Sequence, residues 1–244
     1  MEEFPTKILV EVPVVSHQWE STPRVYNVID LKVLENSEQW FWNRQEVEVS
    51  SIVDGDILKA IQDGKSVVLR VWASPEVRYG KVRGLIKSAL QAGVSQVDLV
   101  MKNETGVFGA LKVDLLTGRG QPEWLPIIFY VEDNGWISMK NESGMLEYLF
   151  GNALSRRLQL HRSVADLSSV KSCVLLGGGG DLSYGRFVEV LMKIREAIEI
   201  VHLMDLEEDE ALDPLLDRAP IPSEILRKPA PPNGPTLPRY GPAY

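Results

Sequence analysis

One cysteine, Cys173, is the whole thiol content of this 244-residue chain, which excludes an internal disulfide framework and any Cys-x-x-Cys metal site. It lies in the apolar run Ser172-Cys-Val-Leu-Leu176. A buried structural thiol is the expectation there, because reactive thiols occupy polar, exposed settings. Positive charge is also scarce: 26 Lys and Arg stand against 34 Asp and Glu, a formal net charge of −8. That balance provides no concentrated basic surface, so neither nucleic acid nor an anionic membrane is an expected partner. Long hydrophobic runs are missing as well. No stretch approaches the ~18 consecutive apolar residues of a membrane-spanning helix. The opening Met1-Glu-Glu-Phe-Pro5 has neither the basic nor the apolar region of a signal peptide. The chain as written is expected to be soluble and cytoplasmic, with any membrane contact made through a partner or an anchor outside it.

Groups that carry chemistry are thinly spread. His17, His161 and His202 are far apart and lack companions at ligand spacing, whereas a metal site needs three or four convergent ligands. Asp54 and Asp56 fall at a predicted helix start, where negative charge suits the helix dipole better than acid–base work. No Gly-x-Ser-x-Gly elbow is present. The expectation is a protein without catalytic residues, metal or cofactor.

What the chain does contain is a repeat. Val67-Val-Leu-Arg-Val-Trp-Ala-Ser-Pro-Glu-Val-Arg-Tyr-Gly80 matches Ser172-Cys-Val-Leu-Leu-Gly-Gly-Gly-Gly-Asp-Leu-Ser-Tyr-Gly185 in an apolar run, a turn, and then Tyr-Gly at the same spacing. After Tyr79-Gly80 come Val82, Leu85, Ile86 and Ala89; after Tyr184-Gly185 come Phe187, Val190, Leu191 and Ile194. The i, i+3, i+4, i+7 spacing predicts one buried helical face in each copy. Gly93 is placed to cap the first helix, and strands follow in Val94 to Leu99 and from Ile198 to Leu203.

Earlier segments agree. Val28 to Leu34 and Ile127 to Val131 precede turns at Asn36 and Asn134-Gly135, which lead into Gln39–Trp42 and Trp136–Met139. Asn-Gly is a strong hairpin signal because both residues tolerate positive φ. Helices are predicted next, from a cap at Ser50 or Ser51 through Ile52, Ile57, Leu58 and Ile61, and from Met145 to Leu158 with Leu146, Leu149, Phe150 and Leu154 inward. Opening strands at Ile8-Leu-Val-Glu-Val12 and Leu111-Lys-Val-Asp-Leu115 complete two units, 7–103 and 108–205. Each reads β, β-hairpin, α, β, α, β in an α+β fold, with helices on one face of a mixed sheet and a parallel final crossover. The domain reading is residues 1–105, 106–205 and an acidic, then proline-rich tail over 206–244. That tail holds nine of the fifteen prolines and is expected to be largely disordered, a polyproline ligand being the alternative.

Two features invite functional readings. The run Leu176-Gly-Gly-Gly-Gly-Asp181 joins a strand to a helix, where bare amides at Gly178, Gly179 and Gly180 could hold an anion. It lacks the Gly-Lys-Ser/Thr of a P-loop and ends in Asp181, so a structural turn is the preferred reading. A nucleotide- or anion-binding domain using Gly177–Gly180 is the alternative function. Trp40 and Trp42 alternate on a hairpin around Phe41. Either an aromatic faces outward into a partner, or the neighbouring repeat covers the sheet on both faces.

The segment Val67 to Val100 resembles the periplasmic domain of the ExbD/TolR family of biopolymer-transport proteins. The matching pieces are Val67–Val71, the turn Ser74–Val77, Tyr79-Gly80, the helix Lys81 to Leu90, Ala92-Gly93 and the strand Val97–Val100. Val10-Glu-Val-Pro13 is similar to the strand ending in proline that opens the family's extramembrane region. The resemblance covers nearly all of the first unit and, more faintly, the second. It implies a tandem ExbD/TolR-like duplicate without the family's transmembrane helix, located at the periplasmic face of the inner membrane if an anchor or signal lies outside this chain. The family's proton-driven work rests on an acidic residue of that transmembrane helix, so proton conduction is not implied; Val71-Trp72 and Leu176-Gly177 also stand where the family has an acidic residue after the strand. The expected function is a non-enzymatic interaction module, an accessory or structural part of a proton-motive-force-coupled transport system. Its partner would be a protein or itself, through an internal pseudo-dimer or a homo-oligomer. Tyr79, Gly80, Tyr184 and Gly185 form the family-matched turns. Ile8, Val10, Val12, Leu111, Val113, Leu115, Trp40 and Trp42 are the candidate interface, with the two opening strands expected to pair across the units because free edges are a liability.

Overall fold

The computed structural model describes residues 10–16, 27–42, 45–48, 59, 61–94, 96–115, 124–140 and 145–204. Ile8, His17, Asp54, Asp56, most of the predicted helix after Ser50, and the 206–244 tail lie outside them.

The fold is mixed α+β, with three helices and two mixed sheets among the described residues. Strands β1 (Val14–Val15), β2 (Val28–Val33), β3 (Glu38–Trp42), β4 (Gln45–Val47), β5 (Val68–Ala73) and β6 (Gln96–Asn103) build the first sheet. Helix α1 (Tyr79–Gln91) joins β5 to β6. Strand β7 (Phe108–Leu115) follows a tight turn, and then come β8 (Trp124–Val131), β9 (Ile137–Lys140) and β10 (Leu146–Leu149). Helix α2 (Ala153–Leu167), β11 (Lys171–Gly178), helix α3 (Tyr184–Ala197) and β12 (Ile200–Leu203) complete the order. The sheets read β4-β3-β2-β5-β6 and β12-β11-β8-β9-β10, with β7 between β6 and β12.

Alternation along the strands explains the layering. Leu69, Val71 and Ala73 of β5 join Val82, Ile86 and Ala89 of α1 in the main core, while Arg70 and Trp72 point to the opposite face. In the second sheet, Val174 and Leu176 of β11 meet Phe187, Val190, Leu191 and Ile194 of α3, and Cys173 and Leu175 face away. One apolar cluster runs through both halves on the helix-covered side, so the halves share a core. Gly93, at φ +99°, ends α1 as the cap position requires.

Strand β7 is the hinge of the architecture. It pairs antiparallel with β6, Val97 opposite Val113, and parallel with β12, Leu203 opposite Leu115. Leu111 and Val113 thus lie opposite Leu99 and Val97 of the first sheet, and Leu115 opposite Leu203 of the second. The other opening strand is corrected. Val10 to Pro13 forms no strand, and only Val14–Val15 pairs, with Lys102–Asn103 of its own sheet. Pro13 has no N–H to give a ladder. Its carbonyl instead accepts from the Lys102 N–H at 3.0 Å, while the Asn103 N–H donates to Val107 at 2.9 Å. Successive strand N–H groups point to opposite edges, so β1 lies on the β5 side of β6 and does not meet β7.

Two more expectations change. Met145 to Leu158 is not one helix: Leu146–Leu149 is strand β10, paired with β9, and the helix starts at Ala153 and runs on to Leu167. The i, i+3, i+4 spacing of Leu146, Leu149 and Phe150 mimicked a helical face. Gly151 at φ +54° breaks the chain just before α2. Trp40 is 5 % exposed in the main core and so is not an outward-facing residue, while Trp42 is partly buried and packs against that core. Phe41 points to the helix-free face, where Val12, Trp72 and Val100 bury it with help from Val10 and Phe108. The cover there is the N-terminal segment and β7.

The same face carries a row of alternating charge. Asp30, Arg70, Asp98 and Lys112 lie abreast on β2, β5, β6 and β7. The Trp72 indole N–H donates to Asp30 Oδ1 at 2.8 Å, and Arg70 Nε lies 3.3 Å from the same oxygen. Burial pushes the Asp98 carboxyl up, against the opposing pull of its hydrogen bond from Gln96 and of the Arg70 and Lys112 charges.

Val12 is fully buried in this small cluster. Val12→Ala is expected to destabilise the whole chain by about 1–3 kcal/mol in urea unfolding. An unchanged midpoint would mean that the segment does not cover Phe41 and Trp72.

Candidate interaction site

The two Tyr-Gly turns, far apart in sequence, meet each other. Both helices start at the C-terminal ends of parallel strands in the adjoining sheets, which brings their first residues face to face. The Tyr79 N–H donates to the Leu182 carbonyl at 2.7 Å, and the Tyr184 N–H donates to Val77 at 2.7 Å. The Gly80 N–H donates to Gly180 at 3.0 Å, and the Gly185 N–H donates to Pro75 at 2.9 Å. Arg78 and Ser183 sit opposite each other as an antiparallel bridge between these bonds. The first N–H groups of a helix have no partner within it. Here each helix has its initial N–H groups satisfied by the loop that leads into the other.

Close approach is what requires the glycines. A Cβ at Gly80 would lie 2.8 Å from the Gly180 oxygen, and one at Gly185 would lie 2.9 Å from Pro75 Cβ. Gly178 plays a related part, since a Cβ there would meet the Tyr79 ring and Phe187 at 3.0 Å. Tyr79 stacks on Phe187 with ring centroids 3.7 Å apart. The buried Arg83 guanidinium donates to the Gly178 carbonyl at 3.2 Å and lies 5.9 Å from the Tyr79 ring centre. Tyr184 is fully buried, and its hydroxyl has no hydrogen-bond partner among the described residues. Desolvation, reinforced by Tyr79, pushes its phenol well above the ordinary range. An exposed ion pair, Arg78 to Asp181 at 3.0 Å, also links the halves; surface pairs of this kind contribute little.

Sequence reasoning missed two cations that follow the Tyr-Gly pairs. Lys81 Nζ donates to the Leu34 carbonyl at 3.0 Å, on the β2–β3 turn. Arg186 donates to the Gly135 carbonyl at 3.2 Å, on the β8–β9 turn. Each ties the hairpin of its own half to its junction helix. The only signal was a basic residue directly after Gly80 and after Gly185. Glu189 holds Arg186 and Lys193, each at 2.6 Å, and those two cations draw its carboxyl below the usual range.

The glycine run is engaged within the chain. Gly177 and Gly178 belong to β11, and the Gly179 N–H donates to Val131 at 2.8 Å. The Asp181 N–H donates to Asp133 Oδ1 at 3.0 Å, and a Cβ at Gly179 would collide with that carboxylate. A phosphate would meet two carboxylates, Asp133 and Asp181, at a turn whose amides at 179 and 181 are already used.

The remaining candidates are dispersed. Burial pushes the Cys173 thiol up to about 12, so it stays protonated at neutral pH. His161 Nε2 lies 3.0 Å from the Leu125 carbonyl, and burial lowers its pKa. His202 stacks on Trp124 with centroids 4.7 Å apart. Among the described residues, no three His, Cys, Asp or Glu side chains converge as metal ligands, and no helix is long and apolar enough to cross a membrane.

No model of a known protein family and no curated protein matches the chain.

The junction makes a paired prediction. Gly80→Ala is expected to cost about 1–3 kcal/mol, because the obstructing atoms are backbone and cannot swing aside. Gly180→Ala, with open space around its Cβ, is expected to stay within about 0.5 kcal/mol of the parent. Equal effects in chemical denaturation would contradict the close approach.

Proposed function

We propose that the chain is a non-enzymatic interaction module in which two copies of an ExbD/TolR-like unit, residues 1–105 and 106–205, pack as an internal pseudo-dimer ahead of a 206–244 tail. The observation that carries this reading is the reciprocal junction, in which each Tyr-Gly turn hydrogen-bonds to the loop before the other. Matching strand orders on either side of β7, and the matching roles of Lys81 and Arg186, support descent from one unit. Covalent linkage of two copies raises the effective concentration of one for the other and fixes their pairing.

The proposed role is that of an accessory or structural component of a proton-motive-force-coupled membrane transport system, at the periplasmic face of the inner membrane if an anchor or signal lies outside this chain. The ordered run of elements similar to ExbD/TolR, from Val67 to Val100, supports that context. A protein channel subunit is the partner this role requires. The anion-binding alternative is weakened by Asp133, whose carboxylate sits against the Gly179–Asp181 turn.

Affinity capture of the tagged full-length chain from detergent-solubilised native membranes tests the reading. Co-purification of a polytopic, channel-type membrane protein is the expected result. Recovery of the chain alone, together with a melting temperature several degrees higher in millimolar ATP or inorganic phosphate, would favour the anion-binding reading instead.

A further inference from the structure

The two outer edges of the paired sheets are built differently. In the first half the edge strand β4 is Gln45-Glu46-Val47, polar and largely exposed. In the second half the edge strand β10 is Leu146-Glu147-Tyr148-Leu149, and it has no strand on its outer side among the described residues. Long apolar edges are normally blunted, since their free N–H and C=O groups invite pairing. One face of this edge is apolar and aromatic. Leu146 is 41 % exposed, Tyr148 41 %, Phe150 56 % and Trp136 50 %. The three rings touch one another, Trp136 with its centroid 5.7 Å from Tyr148 and 5.2 Å from Phe150. Contiguous exposed apolar clusters mark interaction surfaces.

The opposite side of the same strand carries charge of both signs. Glu147 pairs across from Met139 and Leu149 from Ile137, both core residues, so Glu147 and Leu149 point to the helix-covered side. There an open groove of about 420 Å³ lies between β10 and α2, lined by Glu147, Leu149, Arg156, Arg157 and Leu160 among others. A patch holding an anion on the strand and cations on the flanking helix is complementary to a copy of itself, as a two-fold interface demands.

We propose that β10 pairs antiparallel with β10 of a second copy of this chain, on a two-fold axis at Tyr148. Directly opposed residues of an antiparallel pair share a face, and this selects the register. An axis at Glu147 would set two carboxylates against each other, which is unfavourable. An axis at Tyr148 sets Tyr148 against its own equivalent and Leu146 against Phe150, so the exposed apolar row covers itself. Glu147 then lies opposite Leu149 and beside the arginines of the other copy's α2. The pairing joins the sheets of two copies edge to edge and removes the apolar free edge of each. It goes beyond the internal junction and does not depend on it, since the junction lies at the other end of the second sheet.

Sedimentation velocity of the full-length chain, from low micromolar to a few hundred micromolar, is the test. A concentration-dependent shift from the 27.3 kDa chain to a dimer is expected. Tyr148→Arg, which places two guanidinium groups on the axis, is expected to raise the dissociation constant by at least about tenfold, as for a central aromatic anchor. Tyr148→Cys gives a second readout, because opposed Cα atoms at about 4.5–5.5 Å suit a disulfide. Oxidation of that variant is expected to yield a covalent dimer, whereas Val107→Cys, exposed in the β6–β7 turn, yields none. A monomer at every concentration, a dimer indifferent to Tyr148→Arg, or equal crosslinking at both positions would overturn the proposal. None of these results would bear on the Gly80 and Gly185 contacts, so failure here is distinguishable from failure of the interaction-module reading.

Discussion

Two backbones come within van der Waals contact where the loop before one helix meets the start of the other, and the rest of the molecule is arranged around that approach. It is possible because Gly80 and Gly185 have no Cβ. It is favourable because helix N–H groups that would otherwise need water find carbonyl oxygens at 2.7–3.0 Å. A net hydrogen bond contributes only about 0.5–1.5 kcal/mol, but a buried donor left unmade costs more. The loss of either turn would therefore be felt at both helices.

The bridging strand works in the same direction. Because β7 pairs with β6 on one side and β12 on the other, the second half cannot leave without exposing an edge of the first. The shared apolar cluster adds to this: Tyr79 of one half lies on Phe187 of the other. The helix-free faces are less alike than the interior. The first carries the Asp30, Arg70, Asp98 and Lys112 row beneath Trp72. The second carries Cys173, Leu175 and Met204 with Trp124, Ile128 and Ile200. Surfaces that do not hold the halves together differ, while the contacts that join them are matched.

The legible part of the sequence was the part governed by local periodicity. Val82, Ile86 and Ala89, like Phe187, Val190, Leu191 and Ile194, mark their helices because one helical face is buried in a single core. Tyr79-Gly80 and Tyr184-Gly185 stood out by their equal spacing, although what each glycine makes room for lies about a hundred residues away and leaves no local trace. Strand β10 was misread because four residues of mixed exposure support either period, and only the pairing with β9 decides between them. Val10–Val12 was read as strand from its alternation, yet Pro13 and the occupied edge of β6 leave it only side-chain burial. The Asp133 carboxylate against the glycine run was also invisible, since a hairpin turn delivers it from a distant strand.

Amide hydrogen exchange on the native full-length chain tests the central claim most directly. If the reciprocal turns hold the halves together, the N–H groups of Tyr79, Gly80, Tyr184 and Gly185 should exchange only through global unfolding, with the same opening free energy as the slowest amides of β5 and β11. Exchange of these four amides several orders of magnitude faster than the core strands, or protection of one pair without the other, would contradict it.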